Sequence, residues 1–172
     1  MKRVVLLRGV NVGGHRRITM AELRALLADA GFGEAMTVGQ SGNVLVDSRA
    51  APARLESKLR VLLGVEVIVR TPEELAKVVA ADPLGHASDN GSRHIVTFLA
   101  AKLPPASARA VAAATVEPEQ SAVRGREVYS WHPNGLHESP LAKLLASPKL
   151  GVVATARNWN TVAKLHALAS VR

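Results

Sequence analysis

The chain has 172 residues, of which 48% are apolar but only 3% aromatic, so its core must be built mainly from Ala, Val and Leu. The absence of cysteine excludes disulfides, thiolate nucleophiles and iron–sulfur clusters and favours a cytoplasmic location. The net charge is +8, and no stretch approaches the roughly 20 uninterrupted apolar residues of a membrane-spanning helix, so no membrane partner is predicted.

The positive charge is concentrated at the two ends of the chain. Residues 1–21 contain five basic residues and no acid, and residues 139–172 contain five more basic residues, again without an acid. The remaining 12 basic residues and all 14 acidic residues lie between these segments. This asymmetry favours a negatively charged partner, either an anionic small molecule or a nucleic acid backbone. A solvated surface on a basic protein explains the asymmetry equally well.

The first predicted elements are a strand, a glycine-rich loop and a helix. Residues 3–8 are rich in Val and Leu and predict a strand, and residues 9–17 form the loop that follows it. Thr19 and Glu22 make a capping box at the start of the helix, and Gly31 ends it.

A hairpin, a second helix and a fourth strand complete the first part of the chain. Residues 35–40 and 44–47 predict the two hairpin strands, residues 52–63 a helix opened by proline, and residues 65–69 the fourth strand. The order β-α-β-β-α-β is that of a ferredoxin-like fold, in which two helices cover one face of a four-stranded sheet. We therefore predict an α+β protein with an N-terminal ferredoxin-like subdomain at residues 1–70.

Residues 71–172 are predicted to form a second, smaller α+β subdomain. A capping box at Thr71 opens a helix to about residue 80, and residues 82–92 are the best candidate for a linker or loop. The further predicted elements are strands at 95–100, 121–123 and 127–131, and helices at 105–114, 140–146 and 158–169. The last helix carries the Arg-Asn-Trp sequence. The element order loosely echoes that of the first half, as expected for a structural duplication.

The loop after the first strand is the first candidate binding segment. Its glycines Gly9, Gly13 and Gly14 expose backbone N–H groups that can hold a phosphate. Gly9 and Gly14 have the spacing of a P-loop, but His15 and Arg16 follow where that motif has lysine and a hydroxyl residue. A nucleotide P-loop is therefore not predicted, and the glycines equally well serve only to allow positive φ angles.

Two further segments are candidates for a site. Ser41-Gly42-Asn43 predicts a hairpin turn, and such a polar turn also suits the wall of a binding site. Asn158, followed three residues later by Thr161, resembles a helix N-cap. Arg157 directly before it offers a planar guanidinium for phosphate or carboxylate, and Lys164 lies about one turn beyond Thr161.

These segments together resemble the domain of unknown function 1697 (DUF1697) family. The resemblance is carried by Leu6-Leu7-Arg8-Gly9-Val10-Asn11-Val12-Gly13-Gly14 with Met20 and Leu23, by Ser41-Gly42-Asn43-Val44 and by Thr155-Ala156-Arg157-Asn158-Trp159-Asn160-Thr161-Val162. It covers nearly the whole chain. It implies a bacterial-type cytosolic α+β protein with two subdomains, the first ferredoxin-like, and with no established activity.

No metal site, cofactor or catalytic group is predicted. His132 and His137-Glu138 lack the i, i+4 helical spacing of zinc hydrolases. Glu117 and Glu119 are predicted as surface carboxylates rather than as an acid–base pair. Strands one and three carry no aromatic residue on which a nucleobase can stack, so an RNA-recognition module is not predicted.

Three functions remain open at this point. The first is binding of a phosphate-rich or other anionic ligand, and its predicted ligand-binding residues are Arg8, Asn11, Gly13, Gly14, Ser41, Asn43, Arg157, Asn158 and Lys164. The second is an enzyme acting on a small anionic substrate, with Ser41 and Asn43 orienting it and the arginines holding its charge. The third is a structural or self-associating module that forms homo-oligomers, in which Arg157 and Trp159 serve packing alone.

Overall fold

The computed structural model describes residues 1–11 and 17–171, and its internal contacts divide the chain into two units. The first unit is Met1–Lys77 with Lys164–Arg172, and the second is Val78–Ala163. Each unit contains one four-stranded sheet together with helices, so the chain has the predicted α+β fold. The domain boundary predicted after residue 70 stays a prediction, because contacts alone do not test where an independently folding domain ends.

The first unit has the predicted ferredoxin-like arrangement. Its elements are β1 (Lys2–Leu7), α1 (Met20–Leu27), β2 (Met36–Val38), β3 (Asn43–Asp47), α2 (Pro52–Leu63) and β4 (Val67–Arg70). The next helix, α3 (Pro72–Ala80), begins in the first unit and ends in the second. The strands lie in the order β2-β3-β1-β4, and every neighbouring pair is antiparallel. The central strands β1 and β3 therefore run side by side in opposite directions.

Local sequence signals set the ends of the helices in this unit. The Thr19 side chain accepts a hydrogen bond from the Glu22 N–H while the Glu22 carboxylate accepts one from the Thr19 N–H, which confirms the capping box. Gly64 ends α2 in the left-handed region, with φ of 65°. The helices place buried leucines at helical spacing against alternate strand residues. This core contains Leu23, Leu27, Leu55, Leu59 and Leu63 with Val5, Leu7, Val44, Val46, Val67 and Val69.

The second unit has four strands, two α-helices and a short 3₁₀ helix (Pro148–Leu150) of its own. Its elements are β5 (His94–Leu99), α4 (Pro105–Ala114), β6 (Gln120–Arg124), β7 (Glu127–Trp131), α5 (Pro140–Leu145) and β8 (Ala154–Asn158). The last helix, α6 (Trp159–Ser170), begins in the second unit and ends in the first. Within the first unit, the Lys2 ammonium donates to the Leu168 carbonyl at 3.2 Å and also to the Val171 carbonyl.

β8 is a strand that the sequence analysis did not predict. Its residues alternate small and polar side chains and carry no apolar signal typical of a strand. It forms because its backbone pairs antiparallel with β5, with Val96 opposite Arg157. Long-range pairing has here overridden a weak local preference.

The two sheets repeat one topology. The order β6-β7-β5-β8 corresponds position by position to β2-β3-β1-β4. The backbone hydrogen bonds correspond as well: the Leu7 N–H donates to the Gly42 carbonyl at 2.8 Å, and the Leu99 N–H donates to the Arg126 carbonyl at 2.9 Å. The structural duplication expected from the element order is therefore present in the folded chain.

Candidate functional site at the glycine-rich loop

Two of the predicted segments meet at one edge of the first sheet. In the antiparallel pair of β1 and β3, Leu6 lies opposite Asn43, so the end of β1 adjoins the beginning of β3. The glycine-rich loop leaves from this end of β1, and the Ser41-Gly42-Asn43 turn leads into this end of β3. The structure thus brings Arg8, Asn11, Ser41 and Asn43 to the same edge, a relation that the sequence left open.

Asn11 closes the base of the glycine-rich loop. Its side-chain amide donates to the carbonyls of Ile18 at 2.9 Å and Gln40 at 3.0 Å, and its side-chain oxygen accepts from the Ile18 N–H at 3.0 Å. Its backbone is left-handed, with φ of 57°, a conformation that asparagine adopts more readily than most residues. Asn11 therefore joins the two ends of the loop to each other and to the β2–β3 turn.

The turn before β3 is built against the end of β1. Asn43 is buried, and its amide donates to the Val38 carbonyl at 3.0 Å and to the Ser41 hydroxyl at 3.1 Å. Gly42 has φ of +81°, and a Cβ atom added there meets the Leu7 Cβ at 2.8 Å. Asn43 and Gly42 therefore hold the turn in place, while Ser41 is exposed at the surface.

A cavity of about 570 Å³ lies beside the loop, within the size range of small-molecule sites. It is lined by Asn11, Arg17, Ile18, Thr19, Met20, Glu22 and Gln40. Arg17 and Glu22 give this wall one charge of each sign, and Ile18 and Met20 give it an apolar part. Gly13 and Gly14, which are predicted to bind the anion, lie outside the described residues.

The two units differ most clearly in the connection that contains this loop. In the first unit, residues 8–19 join β1 to α1 with twelve residues. In the second unit, residues 100–104 join β5 to α4 with only five, none of them glycine. Since the same topology closes with five residues, the fold itself does not require the longer connection. Such additional loops on a rigid scaffold are where binding residues concentrate.

Arg157 is a buried strand residue. Its side chain is only 7% exposed and donates to the Thr155 hydroxyl and to the Ala156 carbonyl, both at 2.7 Å. Burial lowers the pKa of its guanidinium to about 10, which leaves it charged at neutral pH. Arg70 has the equivalent position in β4, is also buried, and donates to the Val69 carbonyl at 3.2 Å.

The remaining predicted site residues lie near the start of α6. The Asn158 side chain accepts from the Thr161 N–H at 3.0 Å, which confirms the N-cap. Lys164 is exposed on the same helix. Arg157 and Asn158 belong to the second unit, whereas Lys164 belongs to the first. The ligand-binding role of these three residues stays a prediction.

A buried polar network in the second unit was missed by the sequence analysis. The two ring nitrogens of His132 contact the Glu119 carboxylate and, at 2.8 Å, the Ser130 hydroxyl. The Ser139 hydroxyl donates to the same carboxylate at 2.7 Å. The prediction of Glu119 as a surface carboxylate is therefore wrong, since its side chain is only 10% exposed.

The network has the order serine, histidine, carboxylate that hydrolases use, but its geometry is that of a structural cluster. Ser130 is fully buried and His132 is 1% exposed, so the hydroxyl is shielded from any substrate in solution. None of these side chains lines the cavity beside the glycine-rich loop. The network instead joins β7 to the segment before β6 and to the start of α5.

A second buried histidine lies at the start of β5. The His94 ring stacks on Trp159 with centroids 4.6 Å apart, and its Nε2 lies 3.1 Å from the Asp82 carboxylate. Burial lowers the pKa of His94, and the nearby Asp82 charge opposes part of that shift. The imidazole is therefore held mainly in its neutral form at neutral pH.

Two features are absent from residues 1–11 and 17–171. No group of three or more His, Asp or Glu side chains there is arranged to hold a metal ion. In the same part of the chain, no helix combines the length and apolar character needed to cross a membrane.

Comparisons with known proteins agree with this description of the fold. One solved structure, that of the conserved bacterial protein SP0830 from Streptococcus pneumoniae, superposes with a TM-score of 0.77 at 22% sequence identity. The match covers 98% of each chain, and at this identity it shows a shared fold alone. No curated protein matches the sequence. The model of the family described as "Protein of unknown function (DUF1697)" matches residues 1–129, and the chain therefore belongs to this family.

Proposed function

We propose that the glycine-rich loop after β1, together with the cavity beside it, binds a phosphorylated or otherwise anionic small molecule in the cytosol. The observation that carries the proposal is the twelve-residue connection at residues 8–19, where the second unit completes the same topology with five. A segment that the fold does not need, and that is glycine-rich and basic, is best explained by a ligand.

The charge around the loop favours an anion. Residues 1–21 contain Arg8, Arg16 and Arg17 and no acidic residue. Glycine N–H groups and arginine side chains are the groups that proteins commonly use to hold phosphate. Asn11 supports this role because it holds the base of the loop closed with three hydrogen bonds. An ordered base limits the conformational entropy that ligand binding has to overcome.

The size of the cavity favours a small molecule over a nucleic acid. A volume of about 570 Å³ is within the size range of small-molecule sites, whereas a nucleic acid backbone is held along an extended basic surface. The two classes differ in salt dependence, because backbone binding weakens steeply as salt is added. We therefore expect only a modest loss of affinity between low and physiological salt.

The proposal is tested by following backbone amide signals while phosphate, pyrophosphate and AMP are added at millimolar concentrations. At least one of these anions is expected to shift the signals of Asn11, Ile18 and Gln40 in a saturable way. Arg17→Gln is expected to weaken that binding by at least about tenfold, since a hydrogen bond to a charged group contributes about 1.5–3 kcal/mol.

The matched control is Arg54→Gln, which removes the same charge from an exposed position on α2 outside the cavity. This variant is expected to bind like the unaltered protein. Equal weakening by the two substitutions means that only overall charge matters, and the loop site is then wrong. The proposal also fails if none of the anions shifts these signals.

A further inference from the structure

The cavity beside the glycine-rich loop has a carboxylate in its wall as well as an arginine. Glu22 is exposed in that wall, and one of its oxygens accepts the Thr19 N–H at 2.7 Å. That backbone hydrogen bond lowers the pKa of Glu22 below its usual value. The carboxylate is therefore ionised at neutral pH, and it faces the same space as Arg17.

An ionised carboxylate accepts hydrogen bonds and has none to donate. A bare phosphate in the cavity is therefore attracted by Arg17 but repelled by Glu22. It also leaves most of the 570 Å³ unfilled. A ligand that satisfies both residues needs an anionic group at one end and hydrogen-bond donors at the other.

Two kinds of donor fit a carboxylate, namely an ammonium group and neutral hydroxyl groups. Arg17 in the same wall disfavours the ammonium, because two cationic groups in one cavity repel each other. Hydroxyl groups donate to the carboxylate without adding positive charge. Acidic side chains hold ribose hydroxyls in this way in dinucleotide-binding proteins. Gln40 adds an amide that both donates and accepts.

We propose that the ligand of this cavity is a sugar phosphate, with its phosphate at Arg17 and its hydroxyl groups at Glu22. The proposal rests on the proposed function and adds the class of ligand. Two sources of such a ligand contain the same pentose phosphate group, namely a free sugar phosphate and a nucleotide.

The test is a calorimetric titration with inorganic phosphate, ribose 5-phosphate, O-phosphoethanolamine and AMP. Ribose 5-phosphate is expected to bind at least about tenfold more tightly than phosphate, since its hydroxyl groups add hydrogen bonds to the charged Glu22 carboxylate. O-phosphoethanolamine is expected to bind no better than phosphate. If AMP binds more tightly than ribose 5-phosphate, the ligand is a nucleotide whose base contacts Ile18 and Met20. If the two bind equally, the ligand is a free sugar phosphate.

The decisive variant is Glu22→Gln, which removes the charge but keeps a side chain that still accepts from the Thr19 N–H. It is expected to weaken ribose 5-phosphate and to strengthen phosphate, so that the preference between them falls by about tenfold or more. The control Glu34→Gln removes an equal charge from an exposed position outside the cavity and is expected to leave both affinities unchanged.

The results distinguish a failure of the sugar phosphate proposal from a failure of the anion site itself. If ribose 5-phosphate and phosphate bind equally to the unaltered protein, the sugar phosphate is overturned while the anion site stands. The same conclusion follows if Glu22→Gln changes both affinities in the same direction. If O-phosphoethanolamine binds more tightly than ribose 5-phosphate, Glu22 contacts an ammonium group rather than hydroxyl groups, and the sugar phosphate proposal is again overturned. If no compound binds, the proposed function itself is wrong.

Discussion

The β2–β3 turn offers a matched pair of substitutions that tests how the candidate site is supported. Gly39 and Gly42 lie three residues apart and both have positive φ, at 66° and 81°. Their surroundings differ, because an added Cβ at Gly39 meets nothing within 4 Å while one at Gly42 meets the Leu7 Cβ at 2.8 Å. Gly39→Ala therefore tests the backbone alone, and Gly42→Ala tests the backbone together with packing against β1.

The expected losses of stability follow from these two contributions. A left-handed alanine costs roughly 1–2 kcal/mol, and the lower entropy of the unfolded chain offsets about 0.4–1 kcal/mol of this. Gly39→Ala is therefore expected to destabilise the protein by about 1 kcal/mol. Overpacking against a buried strand adds roughly 1–3 kcal/mol. Gly42→Ala is accordingly expected to cost about 2 kcal/mol more than Gly39→Ala.

Thermal unfolding measured by far-UV circular dichroism compares the two variants. For a chain of this size a loss of 2 kcal/mol lowers Tm by about 4–8 °C. Both tryptophans of the chain, Trp131 and Trp159, lie in the second unit, so their fluorescence reports whether that unit is unaffected. Equal Tm values for the two variants would refute the argument that close packing of Gly42 on Leu7 positions the turn.

Three further predictions concern single contacts described above. Glu119→Gln is expected to reduce the free energy of unfolding of the second unit by about 1.5–3 kcal/mol, because buried hydrogen bonds to its charge are lost. Urea unfolding followed by tryptophan fluorescence measures this loss. A loss no larger than that of Glu138→Gln, at an exposed position, contradicts the prediction. His94 has a lowered pKa in the folded state, so its contribution to stability is complete above about pH 6.5 and is lost as the pH falls from there toward the folded pKa. His94→Phe is therefore expected to flatten the decline of Tm between about pH 7.5 and 5, and an unchanged slope contradicts the assignment. Asn11→Ala is expected to speed amide hydrogen exchange at Ile18 by about tenfold or more, since the Ile18 N–H loses its acceptor; unchanged exchange shows that the loop base is held in another way.

The elements that the sequence predicts well are those with signals inside a few residues. The capping box at Thr19 and Glu22 is complete within one turn of helix, and the proline at Pro52 with glycine at Gly64 sets the ends of α2. The order of these elements then indicated the ferredoxin-like topology, because few arrangements of β-α-β-β-α-β are compatible with short connections.

The features that were missed depend on residues distant in sequence. β8 forms through pairing with β5, about 60 residues earlier in the chain, and its own composition predicts no strand. Glu119 becomes buried because His132 and Ser139 approach it, and adjacent residues carry no sign of this. The role of Asn11 as the closure of its loop was likewise invisible, because its partner Gln40 lies 29 residues away.

The path of α6 has a consequence for how the protein is made. Lys164–Arg172 contributes to the first unit, although 86 residues of the second unit, Val78–Ala163, are synthesised in between. At 5–20 residues per second, a ribosome needs about 4–17 s to add that segment. During this interval the nascent first unit lacks the helical turns whose carbonyls receive the Lys2 ammonium. The first unit is therefore completed only after the second unit has been synthesised, and a ribosome stalled before residue 164 is left with an unfinished N-terminal unit.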